Sequence, residues 1–197
     1  MKVLLLDCLN NKNNIDTHNA IKSLIKGIKS AGGEVKHIEI SNLDIKPCLA
    51  CTDDLLFSSN NECRCDDDMN NLYSEFRNSD IWVFATHINS NGTSEFLRNF
   101  LDRLEPLFQP FYIYENNQST IIPQGNKING KILLLSSYEY EYANLARQIS
   151  EHIDSLGLLF SKESENNILF DSERIDEQRL NMIYERGKSL ISNESKS

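Results

Sequence analysis

Apolar and polar positions follow two rhythms along the chain, and the rhythm changes mark its elements. Residues 2–7, KVLLLD, form a short continuous apolar run, as a strand buried on both faces does. Ile21, Leu24, Ile25 and Ile28 then recur at spacings of a helix face, which Gly32 and Gly33 end. EVKHIEI (34–40) alternates, which predicts a second strand nearer an edge. Asp66, Asp67 and Asp68 precede Met69, Leu72, Tyr73 and Phe76, so a helix is expected there with acids capping its free N–H groups. IWVFAT (81–86) is a third buried strand. Thr93 or Ser94 caps the next helix, with Phe96, Leu97, Phe100, Leu101, Leu104 and Phe108 on its apolar face. KILLLSS (131–137) is a fourth strand, and Leu145, Ile149, Ile153 and Leu156 mark a fourth helix. LGLLFSK (156–162), extended by NILF (167–170), is read as the fifth strand. Leu180, Ile183, Leu190 and Ile191 mark the last helix.

Strands alternating with helices imply an α/β fold, a parallel sheet covered on both faces. Right-handed crossovers then favour a five-stranded sheet of order 2-1-3-4-5. A ligand belongs at the carboxyl ends of strands 1, 3 and 4, where residues 8–17, 86–94 and 136–142 lie. Residues 109–129 make a connection long for a compact domain, expected to cover the ligand edge or a partner surface. Residues 1–192 read as one domain and 193–197 as a mobile tail.

Composition narrows the function. The net charge of −9 disfavours binding to nucleic acid, whose phosphates need a broad basic surface. No apolar run approaches membrane-spanning length and no signal peptide is visible, so the expectation is a cytoplasmic protein without a membrane partner. Five cysteines, an odd number, read as reduced thiols in that setting. Cys8, at the end of the first strand, is a small core residue.

A resemblance enters with residues 45–103. Pro47-Cys48, Cys51, and Cys63 ahead of Asp67-Asp68-Met69 are followed by the third strand and by Ser94, Leu97, Arg98, Phe100, Asp102 and Arg103 in register. This segment resembles the NADPH-dependent FMN reductases and iron–sulfur flavoproteins. The resemblance implies a flavodoxin-like three-layer sandwich, FMN as cofactor, NAD(P)H and a small-molecule electron acceptor as partners, and a homodimer with the flavin near its interface. Phe111, Tyr112 and Tyr114 in the long connection suit such an interface. Asp102 and Arg103 are read as structural anchors.

The resemblance also assigns cofactor contacts, and the chain departs from its pattern there. Against a first loop reading G-S-x-R-x-x-G-N-T, residues 9–17 keep Lys12 and Thr17, while Asn10, Ile15 and Asp16 replace a serine, a glycine and an asparagine. Asp16 either sets a negative charge beside the FMN phosphate or turns away as a helix cap. The second loop holds His87, Ile88, Asn89, Ser90, Asn91 and Gly92 against the isoalloxazine ring. The third, 136–142, offers Ser137 and Tyr138, with Tyr140 and Tyr142 near. No nucleophile–base pair is evident, so no catalytic residue is assigned; the cofactor carries the chemistry.

Cluster-bearing relatives follow C-x-x-C-x-x-C with a fourth cysteine, whereas Asp54 stands in the third place here and Cys65 is extra. The expectation is thiols and no metal. Three readings stay open: an FMN-dependent NAD(P)H oxidoreductase, a binding or regulatory module of the same fold that has lost FMN, and an iron–sulfur electron carrier held by Cys48, Cys51, Cys63 and Cys65.

Overall fold

The structure, a computed structural model, describes residues 1–9, 14–50, 63, 65–104, 107, 109–115, 118–124, 130–160, 162–172 and 175–192. Strand β1 (Lys2–Asp7) leads to α1 (Ile15–Ser30) and β2 (Glu34–Glu39). Helix α2 (Met69–Arg77), β3 (Ile81–Ile88) and α3 (Glu95–Asp102) follow. A hairpin, β4 (Gln109–Glu115) and β5 (Gln118–Gln124), precedes β6 (Gly130–Tyr138) and α4 (Ala143–Leu159). Strands β7 (Lys162–Ser164) and β8 (Ile168–Asp171) and helix α5 (Glu177–Ser192) complete the chain.

The main sheet is parallel, with order β2-β1-β3-β6-β7. Strand β8 pairs with the second half of β6, at Leu135–Tyr138, as β7 does with the first half, so six strands fill five positions. This is the flavodoxin-like order expected from the alternation. Strand pleat sends Leu4, Leu6, Trp82, Phe84 and Leu134 to one face, where α2, α3 and α4 pack Phe76, Phe100 and Ile153 on them. Val3, Leu5, Val83 and Leu133 face α1 and α5 through Ile21, Leu24, Ile28, Ile183 and Leu190. The last helix lies close on the first because Gly27 and Gly187 face each other: a Cβ on Gly27 would come within 2.0 Å of the Tyr184 carbonyl oxygen.

The structure refines the expected elements in detail. Residues 156–159 end α4 rather than start a strand, and Leu158 is 81% exposed. A short leucine-rich run fits either element, and the helix continues to Leu159. Strand β3 runs on past Thr86 through His87 and Ile88, because β6 keeps pairing with it as far as Ile88↔Tyr138. Asp68 sits at the start of α2 without bonding the helix; its carboxylate accepts from Asp44 N at 2.8 Å, while Asp67 Oδ1 accepts from Met69 N at 3.1 Å. Ser94, of the two candidates, caps α3 by accepting from Leu97 N. The long connection contains the antiparallel β4–β5 ladder, a two-stranded sheet of its own.

Candidate functional site

Strands β1, β3 and β6 all point their carboxyl ends at one sheet edge, and an open cleft of about 1330 Å³ lies there. Leu9, Asn14, Ile15 and Asp16 line it from the β1–α1 connection. His87, Asn89, Asn91, Thr93, Ser94, Glu95 and Arg98 line it from β3 and the start of α3. Glu139, Tyr140 and Glu141 enter from the β6–α4 turn, and Ser172 from beyond β8. The three stretches expected at this edge therefore meet.

Individual positions differ in how they meet it. Asn10 and Lys12 lie outside the described residues, as does Cys51. Asp16 lines the cleft in the first turn of α1, and the cap of that helix is Asn14, whose Oδ1 accepts from Thr17 N at 3.3 Å. His87 and Ile88 belong to β3, and Ile88 is fully buried. Asn89 to Gly92 close a four-residue turn: Gly92 N donates to Asn89 O at 2.9 Å and Asn89 N to Gly92 O at 3.1 Å. Gly92 holds φ +85°, a left-handed conformation that suits glycine. Asn91 N is held by Asn89 Oδ1 at 2.9 Å, and Ser90 is exposed at the tip. Ser137 and Tyr138 end β6; Ser137 is buried, and the tyrosine lining the cleft is Tyr140, 69% exposed.

A row of hydrogen bonds runs under the cleft floor, and its protons can be placed by elimination. Asn14 Oδ1 only accepts, so the Thr17 hydroxyl donates to it, at 2.6 Å. Ser137 Oγ, 2.5 Å from Thr17 Oγ1, must then donate to Thr17. Its proton used, Ser137 accepts from His87 Nδ1 at 2.8 Å. Neutral His87 is thus an Nδ1–H tautomer with a bare Nε2, and that nitrogen lies 3.8 Å from Glu139 Oε1. Burial lowers the His87 pKa and Glu139 opposes the shift; the net direction is down. The ring is therefore a proton acceptor at the cleft, with a carboxylate beside it that favours the cation once formed. Asn14 escaped the sequence reading, and only its place before an apolar period could have marked it as a cap.

Among the described residues lining the cleft, charge is mostly negative. Asp16, Glu95, Glu139 and Glu141 line it with Arg98. Beneath the β1–α1 connection, Asp7 is only 3% exposed. Its Oδ1 accepts from Leu9 N at 3.1 Å, and its Oδ2 lies 3.6 Å from His18 Nδ1 and 3.5 Å from His37 Nε2.

On the other face, Arg103 anchors the cysteine-bearing stretch. Its side chain is fully buried and grips Asp67 with Nη1 at 2.6 Å and Nη2 at 3.0 Å, while Nη1 also donates to Lys46 O at 2.8 Å. Burial pushes the Asp67 carboxyl up, but Arg103 and the N–H groups of Lys46 and Met69 bring it below the usual carboxylate range. Cys8, Cys48, Cys63 and Cys65 are free thiols. Among the described residues no group of three or more His, Cys, Asp or Glu side chains is arranged to hold a metal ion. No helix among them is long and apolar enough to cross a membrane.

The family model described as NADPH-dependent FMN reductase matches residues 1–163. The chain is similar over 98% of its length, and over 96% of the other chain, to an NAD(P)H:quinone oxidoreductase from Methanothermobacter marburgensis, with 14% identity and a TM-score of 0.62. An FMN-dependent NADH-azoreductase from Bacillus anthracis, solved with FMN, matches over 97% of both chains with 10% identity and a TM-score of 0.64. A flavodoxin from Streptococcus pneumonia TIGR4 matches over 98% of both chains with 11% identity and a TM-score of 0.59. At these identities the solved structures establish the fold. No curated protein matches.

Proposed function

The chain belongs to the NADPH-dependent FMN reductase family, and from that premise we propose that it uses NAD(P)H, with FMN in the sheet-edge cleft, to reduce a small acceptor. The observation that carries this reading is the convergence of the β1–α1, β3–α3 and β6–α4 connections on one open cleft. Its volume exceeds the roughly 300–1,000 Å³ usual for small-molecule sites, leaving room for a second reactant. The residues present fit the cofactor. One wall is the start of α1, the favoured place for a phosphate. Another is the Asn89–Gly92 turn, and beneath them lie the Thr17 and Ser137 hydroxyls.

In this assignment the β1–α1 connection would hold the phosphate through Asn10, Lys12 and Asp16, with the Thr17 hydroxyl buried beneath it. His87, Asn89, Ser90, Asn91 and Gly92 would hold the ring, with Ile88, Ser137 and Tyr138 in the strand ends that support them. When bound, FMN supplies two-electron chemistry that no side chain here offers. The chain's own part is to seat the reactants and to manage a proton. His87 accepts it at Nε2, Glu139 stabilises the resulting cation, and the Ser137–Thr17–Asn14 row keeps the ring in place.

The cleft carboxylates favour a rival reading, a module of the same fold that no longer holds FMN. Titrating the purified protein with FMN, and following NADPH consumption with and without it, separates the two. Saturable binding with FMN-dependent oxidation supports the reductase. A protein that ignores FMN supports the module. Asp16→Asn is expected to tighten FMN binding by about tenfold or more, because like charges some 4 Å apart cost up to roughly 4 kcal/mol, about a thousandfold, at an effective dielectric near 20. Unchanged affinity would place Asp16 away from the phosphate.

The family resemblance also supports a homodimer, with the β4–β5 hairpin at its interface, and thiols at the cysteines fit a cytoplasmic setting. Light scattering on the full chain and on one lacking residues 109–124 tests the first: the shortened chain is expected to be a monomer.

A further inference from the structure

Asp7, His18 and His37 meet beneath the β1–α1 connection, and the chemistry assigned to the cleft makes no use of them. We propose that they form a proton-operated control of the anion-binding end of the cleft. When either imidazole takes up a proton, the buried carboxylate is balanced and a phosphate binds more tightly in front of it. The inference rests on the reading of the β1–α1 connection as the phosphate seat.

Three elements bring the side chains together. Asp7 ends β1, His18 lies near the start of α1, and His37 is on β2. Leu5 pairs along the sheet with His37 and packs against α1; Asp7, two residues on, shares that face. Of the two Asp7 oxygens, Oδ1 has the Leu9 N–H, whereas Oδ2 is buried without a hydrogen-bond partner. His18 Nδ1 and His37 Nε2 stand 3.6 and 3.5 Å from that one oxygen, at ion-pair distance. A buried carboxylate oxygen left in this way keeps the cost of its lost water. A proton on either ring offsets it, as a charge and as a donor. The two imidazoles are 28% and 33% exposed, so solvent can deliver the proton. Once one ring is charged a second proton is opposed, because both rings face the same oxygen. The cluster therefore passes from one negative charge to none over the range in which histidine changes charge, about pH 5 to 8.

That charge reaches the cleft through one hydrogen bond. Asp7 holds Leu9 N, and Leu9 lines the cleft beside Asn14, Ile15 and Asp16. Without a proton on the cluster, Asp7 and Asp16 both oppose an anion at this end. The other charged groups around the cluster come from each neighbouring element. Helix α1 brings Asp16 and, one turn beyond His18, Lys22; β2 brings Glu39, paired in register with Asp7. Lys36 of β2 is held by Glu75 at 2.7 Å. The start of α5, which packs on α1, brings Asp176, Glu177 and Arg179, and β3 sets Ala85 opposite Asp7. Cys8 stays a neutral thiol, since burial and then the Asp7 charge raise its pKa. Of these side-chain types only histidine ordinarily changes charge near neutrality, and His87, across the cleft floor, is the one other histidine at the site.

The test is calorimetric titration of the full chain at pH 6 and pH 8 with two probes, FMN and inorganic sulfate. Each comparison is made at one pH between the natural chain and a variant, so the ionisation of FMN and of His87 cancels. At pH 6 the natural chain is expected to bind both probes roughly threefold or more tightly than a His18→Gln, His37→Gln double variant, and at pH 8 equally. Asp7→Asn keeps an oxygen for Leu9 N and is expected to bind both probes at pH 8 more tightly than the natural chain by a similar factor. A carboxylate with a structural role alone would weaken binding when removed. Where Asp7→Asn does not fold, the double variant decides. Equal affinities of the natural chain and the double variant at pH 6, or weaker binding by folded Asp7→Asn, overturn the inference and leave the flavin reading standing if FMN binds. The expected pattern with sulfate in a chain that ignores FMN supports the inference and overturns the flavin reading. A chain that binds neither probe at pH 6 overturns both.

Discussion

Asp67 shows how much one side chain can carry. It was legible as part of an acidic run before a helix, and a capping role was the natural reading. The fold instead gives it a bidentate hold on Arg103, 36 positions away, besides the N–H of Met69. Removing one partner of a buried pair strands the other, so Asp67→Asn is expected to cost on the order of 3–5 kcal/mol in urea unfolding at pH 7. The paired change Asp67→Leu with Arg103→Met is expected to cost less than either alone. Lys162 is the second such residue, 2% exposed, its ammonium 4.5 Å from the Trp82 ring centroid and donating to Asp80 O at 3.0 Å. Burial lowers its pKa to about 8, with Asp80 opposing. Between that value and about 10.4 the unfolded chain binds more protons, so stability rises with pH across this window. Lys162→Met is expected to remove that rise, at most on the order of 3 kcal/mol, as thermal unfolding at pH 7.5 and 10 measures. Neither partnership was readable from sequence. The same holds for the Thr17–Ser137 bond, which joins residues 120 apart. Such contacts exist only once strand order and register have brought distant positions together.

Elements were the most legible scale, and their failures have physical causes. Met69, Leu72 and Phe76 predicted α2 because one face of a helix is enough to see it. Leu156–Leu159 deceived because an apolar run at a helix end looks like a strand start. The true fifth position is split, and a side chain mends the gap: Asn167 Oδ1 accepts from Leu134 N at 2.7 Å where no strand residue does the work. Its Nδ2 donates to Ser150 Oγ and Asp154 Oδ1, which hold the amide in that orientation. The α1–α5 seat is another element-scale device. Gly187→Ala would normally favour a helix, yet its Cβ would come within 2.4 Å of Leu24 O. The net effect expected is destabilisation by about 1–3 kcal/mol in urea unfolding, since two backbones must part.

At the scale of the whole molecule, alternation along the chain was enough to give the strand order, and that order gave the cleft. What alternation could not show was how the ends of the chain depend on each other. The matched family region stops at residue 163, yet α5, beyond it, covers Ile21, Leu24 and Ile28 of the first helix. A chain ending at Ser172 is therefore expected to lose cooperative unfolding and to bind a hydrophobic dye, as fluorescence and urea titration would show. Ile183 and Leu190 alone bring about 1.5–3 kcal/mol each on burial. The seat also sets a clock during synthesis. Helix α1 leaves the ribosome long before α5 exists, and at about 5–20 residues per second its apolar face waits on the order of ten seconds for its cover. In that interval the nascent chain presents a sticky surface that only a chaperone, or a temporary partner within the chain, can shield. Slow codons or a stalled ribosome late in the message would lengthen the exposure without changing a single residue of the finished protein.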